Sequence, residues 1–178
     1  MSTLTSVHWL AQDYAYVAGC QLRSLASAVP PAAYRTGIGR AVVSQYLAEH
    51  DLWDTAIVAH SKGGLIGKYA MLKTPAAARI ARLVAICSPF SGSRYARYAL
   101  APSLRAFAPT HATTRLLVRG SSVNRNITSI FGSFDPMIPT GSELPGARNT
   151  RVDVPRHFRI LGAAATIATV LREVAVPS

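Results

Sequence analysis

Ala59-His60-Ser61-Lys62-Gly63-Gly64 joins two segments of the chain that have different hydrophobic patterns. The segment before it, 55–59, is an apolar and partly β-branched run, which predicts a strand. The segment after it repeats apolar side chains at helical spacing, which predicts a helix. These side chains are Leu65, Ile66, Tyr69, Ala70 and Leu72. A strand, a tight turn that carries one serine among small residues, and a helix are therefore expected in this order.

The position of Ser61 in this turn suits nucleophilic chemistry. A serine in a sharp strand-to-helix turn stands clear of the backbone, where a base can reach its hydroxyl. The helix N-terminus behind it presents backbone N–H groups to a developing oxyanion, and the N–H of Lys62 is the predicted donor. Ala59 stands where the G-x-S-x-G pattern has its first glycine, and Gly63 keeps the second. The alternative is an ordinary surface serine in a glycine-containing loop.

Two further polar residues follow predicted strands downstream of Ser61. Residues 127–131 form a predicted strand that opens into a loop containing Asp135. Residues 150–154 form a short predicted strand, and His157 comes just after it. Because the carboxyl ends of parallel strands meet at one edge of a sheet, we expect the serine, the aspartate and the histidine to converge there.

Other interpretations of these residues stay open. Asp135 is also typical of a turn before proline, and His157 of an ordinary loop histidine. Three neighbouring residues are rivals for the same roles: Asp153 and Glu143 for the acid, and His60 for the base. Asp153 lies inside a predicted strand, and Glu143 lies in a Gly/Pro-rich loop. His60 is next to Ser61 in the sequence, and adjacent side chains at a turn diverge, so His60 is expected to be a poor base.

Four motifs in this order resemble those of bacterial α/β-hydrolases of the triacylglycerol lipase/esterase type, from about Tyr14 to the C-terminus. Residues 59–64 resemble the Ala-His-Ser-x-Gly-Gly form of the nucleophile elbow. Residues 86–93 resemble the strand and (Thr/Ser)-Pro-x-x-Gly-(Thr/Ser) segment that follow the elbow helix. Residues 134–139 resemble the acid loop, and residues 156–161 resemble the histidine loop.

The resemblance implies an α/β-hydrolase fold, with a mostly parallel sheet and helices on both faces. It also implies a serine carboxylester hydrolase without a cofactor. Ser61 would attack the acyl carbon, His157 would act as the general base, and Asp135 would orient and support the histidine.

About five strands are predicted, with helices between them and a final helix at about 163–174. The strands are 14–18, 55–59, 82–87, 127–131 and 150–154. Lipases of this type begin with a strand and a His-Gly loop that supplies a second oxyanion N–H, and no such motif precedes Tyr14. We therefore expect an N-terminally truncated fold. A late gene start, a genuine fragment and a partner that supplies the first strands are the alternatives.

The chain is expected to form a single partial α/β-hydrolase domain over residues 1–178. The crossover from Ser88 to Asn126 is longer than one helix needs, and it contains Pro102 and Pro109 as breaks. Long insertions in such folds often form lids, so residues 94–126 are interpreted as a lid or cap insertion. An ordinary pair of helices is the alternative.

Charge and composition argue against other classes of function. The chain has 19 basic and 8 acidic residues and a net charge of +11, but the basic residues are scattered and no cluster suggests nucleic-acid binding. The positive charge is compatible with weak contact with anionic lipid surfaces. No group of residues has metal-ligand spacing, so neither a metal nor another cofactor is expected. Cys20 and Cys87 form no disulfide framework and are each expected to pack as small apolar residues.

No apolar run reaches the ~18 residues that span a bilayer, and no signal-peptide pattern opens the chain. A cytoplasmic location is expected for the chain as written, and secretion if a longer N-terminus exists. The sequence therefore predicts a hydrolase of carboxylic, preferably lipophilic, esters. A truncated and catalytically impaired hydrolase that is inactive or needs a partner segment is the alternative. A peptidase or an acyltransferase with the same residues also fits.

Overall fold

A computed structural model gives the fold of the chain and describes residues 36–94, 96 and 107–175. The predicted strand 14–18 lies outside these residues, as does part of the predicted lid. The rest of that insertion contains a helix, Ala112–Arg119, and a short 3-10 helix, Asn124–Asn126. The interpretation of 94–126 as a lid therefore stays a prediction.

Within the described residues, four parallel strands form one sheet in the order β1-β2-β3-β4. They are β1 (Thr55–His60), β2 (Ile80–Ile86), β3 (Ile127–Gly132) and β4 (Arg148–Val152). The register aligns their carboxyl ends, because His60 pairs with Ile86, Ile86 with Ile130, and Ile130 with Thr150. The loops that follow all four strands consequently emerge at one edge of the sheet.

The predicted strand bounds differ from the observed ones by one or two residues. The strands predicted at 55–59 and 127–131 each run one residue further, to His60 and Gly132, and the other two are wrong at both ends. The strand predicted at 82–87 runs from Ile80 to Ile86, because Cys87 has a φ of +47° and cannot continue an extended strand. The strand predicted at 150–154 runs from Arg148 to Val152 and ends before Pro155, which has no N–H to donate.

Helices cover both faces of the sheet. They are α1 (Thr36–Glu49), α2 (Lys62–Lys73), α3 (Ala112–Arg119) and α4 (Ala164–Ala175), with 3-10 helices at Pro75–Arg79, Asn124–Asn126 and Arg159–Gly162. Helix α2 packs on β1 and β2, and α1 packs on α2, whereas α4 contacts β2. None of the described helices has the length and apolar character needed to cross a bilayer.

The two faces of β2 belong to two separate apolar cores, because successive side chains of a strand point to opposite faces. Leu83 and Ala85 pack in the core beneath α2. Val84 and Ile86 pack in the other core, together with Ile160 of the last 3-10 helix. Such an arrangement, with a buried parallel sheet between helices, is the α/β architecture that the sequence predicted.

One lysine lies inside the fold. Lys68 of α2 is fully buried, and its Nζ has no hydrogen-bond partner among the residues that the structure describes. The ammonium lies 5.7 Å from the centre of the Phe90 ring. Burial lowers the pKa of Lys68 to about 8, because the charged form loses its hydration.

Glycines set how closely the elements around the sheet edge approach one another. A Cβ at Gly64 would collide with Ser88, and a Cβ at Gly67 would lie 2.8 Å from Leu83 Cδ1, so α2 sits directly against β2. A Cβ at Gly132 would collide with the carbonyl oxygen of Val154. Gly132 therefore allows the loop after β4 to pass close to the end of β3.

Replacing Gly132 by alanine tests this close approach. We expect Gly132→Ala to lower the free energy of unfolding by about 1–3 kcal/mol, because the obstructing atom belongs to backbone and cannot rotate away. Gly162→Ala is the matched control, since a Cβ there would meet nothing within 4 Å, and it should change stability by less than ~0.5 kcal/mol. Urea unfolding of both variants measures the difference. Equal stabilities would contradict the interpretation.

Candidate functional site

Ser61 occupies a sharp turn between β1 and α2. Its backbone has φ 53° and ψ −118°, a conformation that is costly for a residue with a side chain. Two backbone hydrogen bonds hold the turn: the N–H of Ser61 donates to the carbonyl of Ile86 at 2.8 Å, and the N–H of Gly64 donates to the carbonyl of Ser61 at 3.2 Å. Helix α2 begins at Lys62, directly after the serine. The backbone therefore forms the strand, sharp turn and helix that the sequence predicted at this elbow.

Ala59 and Gly63 are the two small residues of this elbow, and they face each other. A Cβ at Gly63 would lie only 3.2 Å from the Cβ of Ala59. Few Cβ atoms tolerate so short a contact. The turn therefore accepts alanine at the first position because glycine occupies the second.

Asp135 and His157 form a buried hydrogen-bonded pair. His157 Nδ1 lies 2.7 Å from Asp135 Oδ2, and the two residues are 1% and 9% exposed. The other carboxylate oxygen, Oδ1, accepts hydrogen bonds from the backbone N–H groups of Met137 at 2.9 Å and Ile138 at 3.1 Å. The carboxylate is thus fixed in orientation, and the ring of His157 donates from Nδ1, which leaves Nε2 as its acceptor nitrogen.

A backbone contact joins the loops that carry these two residues. The N–H of Arg156 donates to the carbonyl of Phe134 at 2.8 Å. Arg156 has a φ of +96°, which turns the chain sharply just before His157. The aspartate and the histidine are therefore brought together by their neighbours in sequence as well as by their own side chains.

His60 holds the histidine loop from the side of β1. Its Nε2 lies 3.0 Å from the carbonyl oxygen of His157, and its ring centre lies 4.7 Å from the ring of His157 and 5.2 Å from that of Phe158. Burial, followed by the neighbouring His157, lowers the pKa of His60 to about 4. The neutral ring donates from Nε2, so His60 contacts the loop of His157, whereas the sequence interpretation considered His60 only as a poor base.

Cys87 lies beside the pair at the end of β2. Its side chain is fully buried, and its N–H donates to the carbonyl of Ile130 at 2.8 Å. Cys87 Sγ, a carboxylate oxygen of Asp135 and a ring nitrogen of His157 all lie within 4.8 Å of one another. The sequence predicted Cys87 only as a small apolar residue, since nothing local indicates this cluster. Cys20 lies outside the described residues.

The two rival acids of the sequence analysis differ from Asp135 in their burial. Asp153 and Glu143 are exposed, whereas Asp135 is buried against the histidine. Glu143 lines a cavity of about 320 Å³ together with Asp135, Ile138 and Arg151. The ammonium of Lys62 lies 5.8 Å from the centre of the Phe107 ring, and the oxyanion role of its backbone N–H stays a prediction.

Three solved structures with a similar fold are described as hydrolases or esterases. Lipase BlEst2 from Bacillus licheniformis in its mature form has a TM-score of 0.57 at 15% identity, with 80% of this chain and 75% of that chain covered. A hydrolase from Pseudomonas aeruginosa PA01 has a TM-score of 0.50 at 16% identity, with 84% and 75% covered. A carboxylesterase from the thaumarchaeon Nitrososphaera gargenis has a TM-score of 0.52 at 12% identity, with 79% and 71% covered.

The chain therefore has the α/β-hydrolase fold, as the sequence predicted. In its propeptide form, lipase BlEst2 has a TM-score of 0.58 at 12% identity, with 80% of this chain covered, and this chain spans only 40% of that form. No protein-family model matches the chain, and no curated protein matches its sequence.

Replacing His60 tests its role through the pH dependence of stability. Its pKa is about 4 in the folded protein and 6.5 in the unfolded chain, so the unfolded chain takes up the proton first as pH falls. Stability is therefore lost as pH falls from about 6.5 to about 4. His60→Phe should lack this loss, whereas His50→Phe, at an exposed position, should keep it. Urea unfolding at several pH values measures the slopes, and identical slopes for wild type and His60→Phe would refute the assignment.

Proposed function

We propose that the chain hydrolyses carboxylic esters with Ser61 as nucleophile, His157 as general base and Asp135 as its supporting acid. The observation that carries the proposal is the buried 2.7 Å pair of Asp135 and His157. This pair lies at the same sheet edge as the strained turn of Ser61. A neutral histidine with Nδ1–H held by a carboxylate has its Nε2 lone pair ready to accept a proton.

The reaction begins when Ser61 Oγ attacks the acyl carbon of the ester while its proton passes to His157 Nε2. The Asp135 carboxylate stabilises the imidazolium that results. The backbone N–H of Lys62, at the start of α2, donates a hydrogen bond to the tetrahedral oxyanion. His157 then returns the proton to the leaving alcohol. Water releases the acyl group from Ser61 by the same steps, with His157 again as the base.

Small-molecule esters with apolar acyl or alcohol groups are the proposed substrates. Met137, Phe107 and Phe158 are partly buried apolar side chains in the segments around the candidate residues. Structural neighbours include a lipase and carboxylesterases, which supports an ester as the scissile group. The net charge of +11 supports weak attraction to anionic lipid surfaces, and we propose no nucleic-acid partner.

The second candidate is a catalytically impaired hydrolase that needs a further segment. Within the described part of the chain, the N–H of Lys62 is the one oxyanion donor that we assign. Loss of a single donor typically lowers the rate by about 10²–10³. An impaired enzyme would still be labelled covalently at its serine but would turn over slowly.

Covalent labelling tests the nucleophile. We expect a fluorophosphonate probe to modify Ser61 in the full chain, and Ser61→Ala to abolish both the labelling and the hydrolysis of p-nitrophenyl butyrate. Ser121→Ala is the matched control at an exposed serine and should keep both. Mass spectrometry of the labelled peptide identifies the site. Labelling of another residue would overturn the assignment, and labelling of Ser61 without turnover would support the impaired enzyme.

Replacing the acid by its amide tests Asp135. In Asp135→Asn the oxygen stays with the N–H groups of Met137 and Ile138, so the new NH₂ group faces His157 Nδ1. Nδ1 must then accept, Nε2 carries the proton, and the base is in the wrong tautomer. We expect kcat to fall by about 10⁴.

Asp153→Asn is the matched control for this substitution, because Asp153 is exposed beyond β4. It should change kcat less than twofold. A large loss in Asp153→Asn with a small one in Asp135→Asn would exchange the roles of the two acids.

A further inference from the structure

We propose that Cys87, Asp135 and His157 bind a thiophilic divalent cation such as Zn²⁺, and that the bound cation switches off the general base. The binding site stands on geometry alone. The inhibition rests on the proposed function, because it assumes that His157 acts as the base.

The three side chains supply a donor set that suits zinc. Their ligand atoms lie within 4.8 Å of one another and belong to a thiol, a carboxylate and an imidazole. Zinc bonds to such atoms at about 2.0–2.3 Å, which places tetrahedral ligands roughly 3.3–3.8 Å apart. Side-chain movements of about 1 Å therefore close the site. Three protein ligands and one open position are typical of zinc sites that keep a water or another exchangeable ligand.

The pairing with Asp135 selects the ring nitrogen of His157 that binds the metal. Nδ1 is the nitrogen that lies 2.7 Å from Asp135 Oδ2, so a cation between these atoms and Cys87 Sγ replaces the proton of Nδ1. That proton moves to Nε2 as the ring changes tautomer, and the thiol proton of Cys87 passes to solvent. One proton is therefore released for each cation bound, and no oxidation or reduction takes place.

The change of tautomer explains why the cation inhibits. With the metal on Nδ1 and the proton on Nε2, His157 has no lone pair with which to accept the proton of Ser61. Backbone hydrogen bonds hold the two turns beside the site, from the N–H of Cys87 to Ile130 and from the N–H of Arg156 to Phe134. We expect both bonds to remain when the cation binds.

A cavity lies beside the proposed site. Asp135 lines this cavity of about 320 Å³ together with Glu143 and Arg151, and the cavity is the proposed route of a cation to the carboxylate. On the side of β1, His60 packs on the ring of His157, with its Nε2 3.0 Å from the His157 carbonyl oxygen.

Metal binding is tested by titrating Co²⁺ into the Ser61→Ala variant of the chain, which lacks the proposed nucleophile. We expect a near-ultraviolet thiolate-to-cobalt charge-transfer band that Zn²⁺ displaces, with one proton released for each metal bound. Cys87→Ala and the isosteric Cys87→Ser should lose the band, and their affinity should fall by at least about a hundredfold. Cys20→Ser is the matched control at the other cysteine and should keep it.

For each variant, the rate of ester hydrolysis is then measured with Zn²⁺ and compared with the rate of the same variant without metal. Wild type and Cys20→Ser should be inhibited at the same Zn²⁺ concentration, and Cys87→Ser only at much higher concentrations. Retention of the band in Cys87→Ser, or its loss in Cys20→Ser, would overturn the site. A normal band in a wild-type protein without esterase activity would overturn the proposed function and leave the metal site standing.

Discussion

The buried carboxylate of Asp135 is the constraint around which the edge of the sheet is organised. A charged group inside a protein is costly unless hydrogen bonds replace its lost hydration. Asp135 obtains them from the backbone of its own loop and from His157, which belongs to the loop after another strand. The segments after β3 and β4 therefore have to lie against each other. The backbone contact from Arg156 to Phe134 and the absence of a side chain at Gly132 meet the same requirement.

Left-handed backbone geometry recurs at the ends of the strands that surround this carboxylate. Ser61 follows β1, Cys87 follows β2, and Arg156 precedes His157, and all three have positive φ without being glycine. Each costs of order 1–3 kcal/mol and is sustained only where its surroundings hold it. Here the N–H of each of the three donates to a carbonyl of a neighbouring strand or loop. Among the described residues, three of the five non-glycine residues with positive φ therefore surround the candidate site, and the other two, Asp51 and Asp54, precede β1.

The sequence predicted the parts of this molecule that depend on local patterns. The apolar, partly β-branched runs of the strands and the small residues around Ser61 are local, so the parallel sheet and the strand-turn-helix arrangement were predictable. The resemblance of the four motifs implied the α/β-hydrolase fold. Strand ends were less accurate, because the turn at Cys87 depends on backbone geometry that no residue pattern reports. The pairing of Asp135 with His157 is observed as a hydrogen bond, whereas their catalytic roles stay predictions. The contact of His60 with the loop of His157 joins residues 97 positions apart and had no local signal.

Because Ala59 and Gly63 face each other across the turn, the residue type at one position limits the residue types that the other position can accept. With alanine at 59, a methyl group at 63 would lie 3.2 Å from its neighbour, so the two would have to move apart by a few tenths of an ångström. With glycine at 59, the same methyl group would avoid this contact. The order in which substitutions arise therefore matters, because alanine fits more easily at one position when the other is glycine. Related chains should exchange the two residues as a pair, by way of the double glycine, and the intermediate with two alanines should be rare.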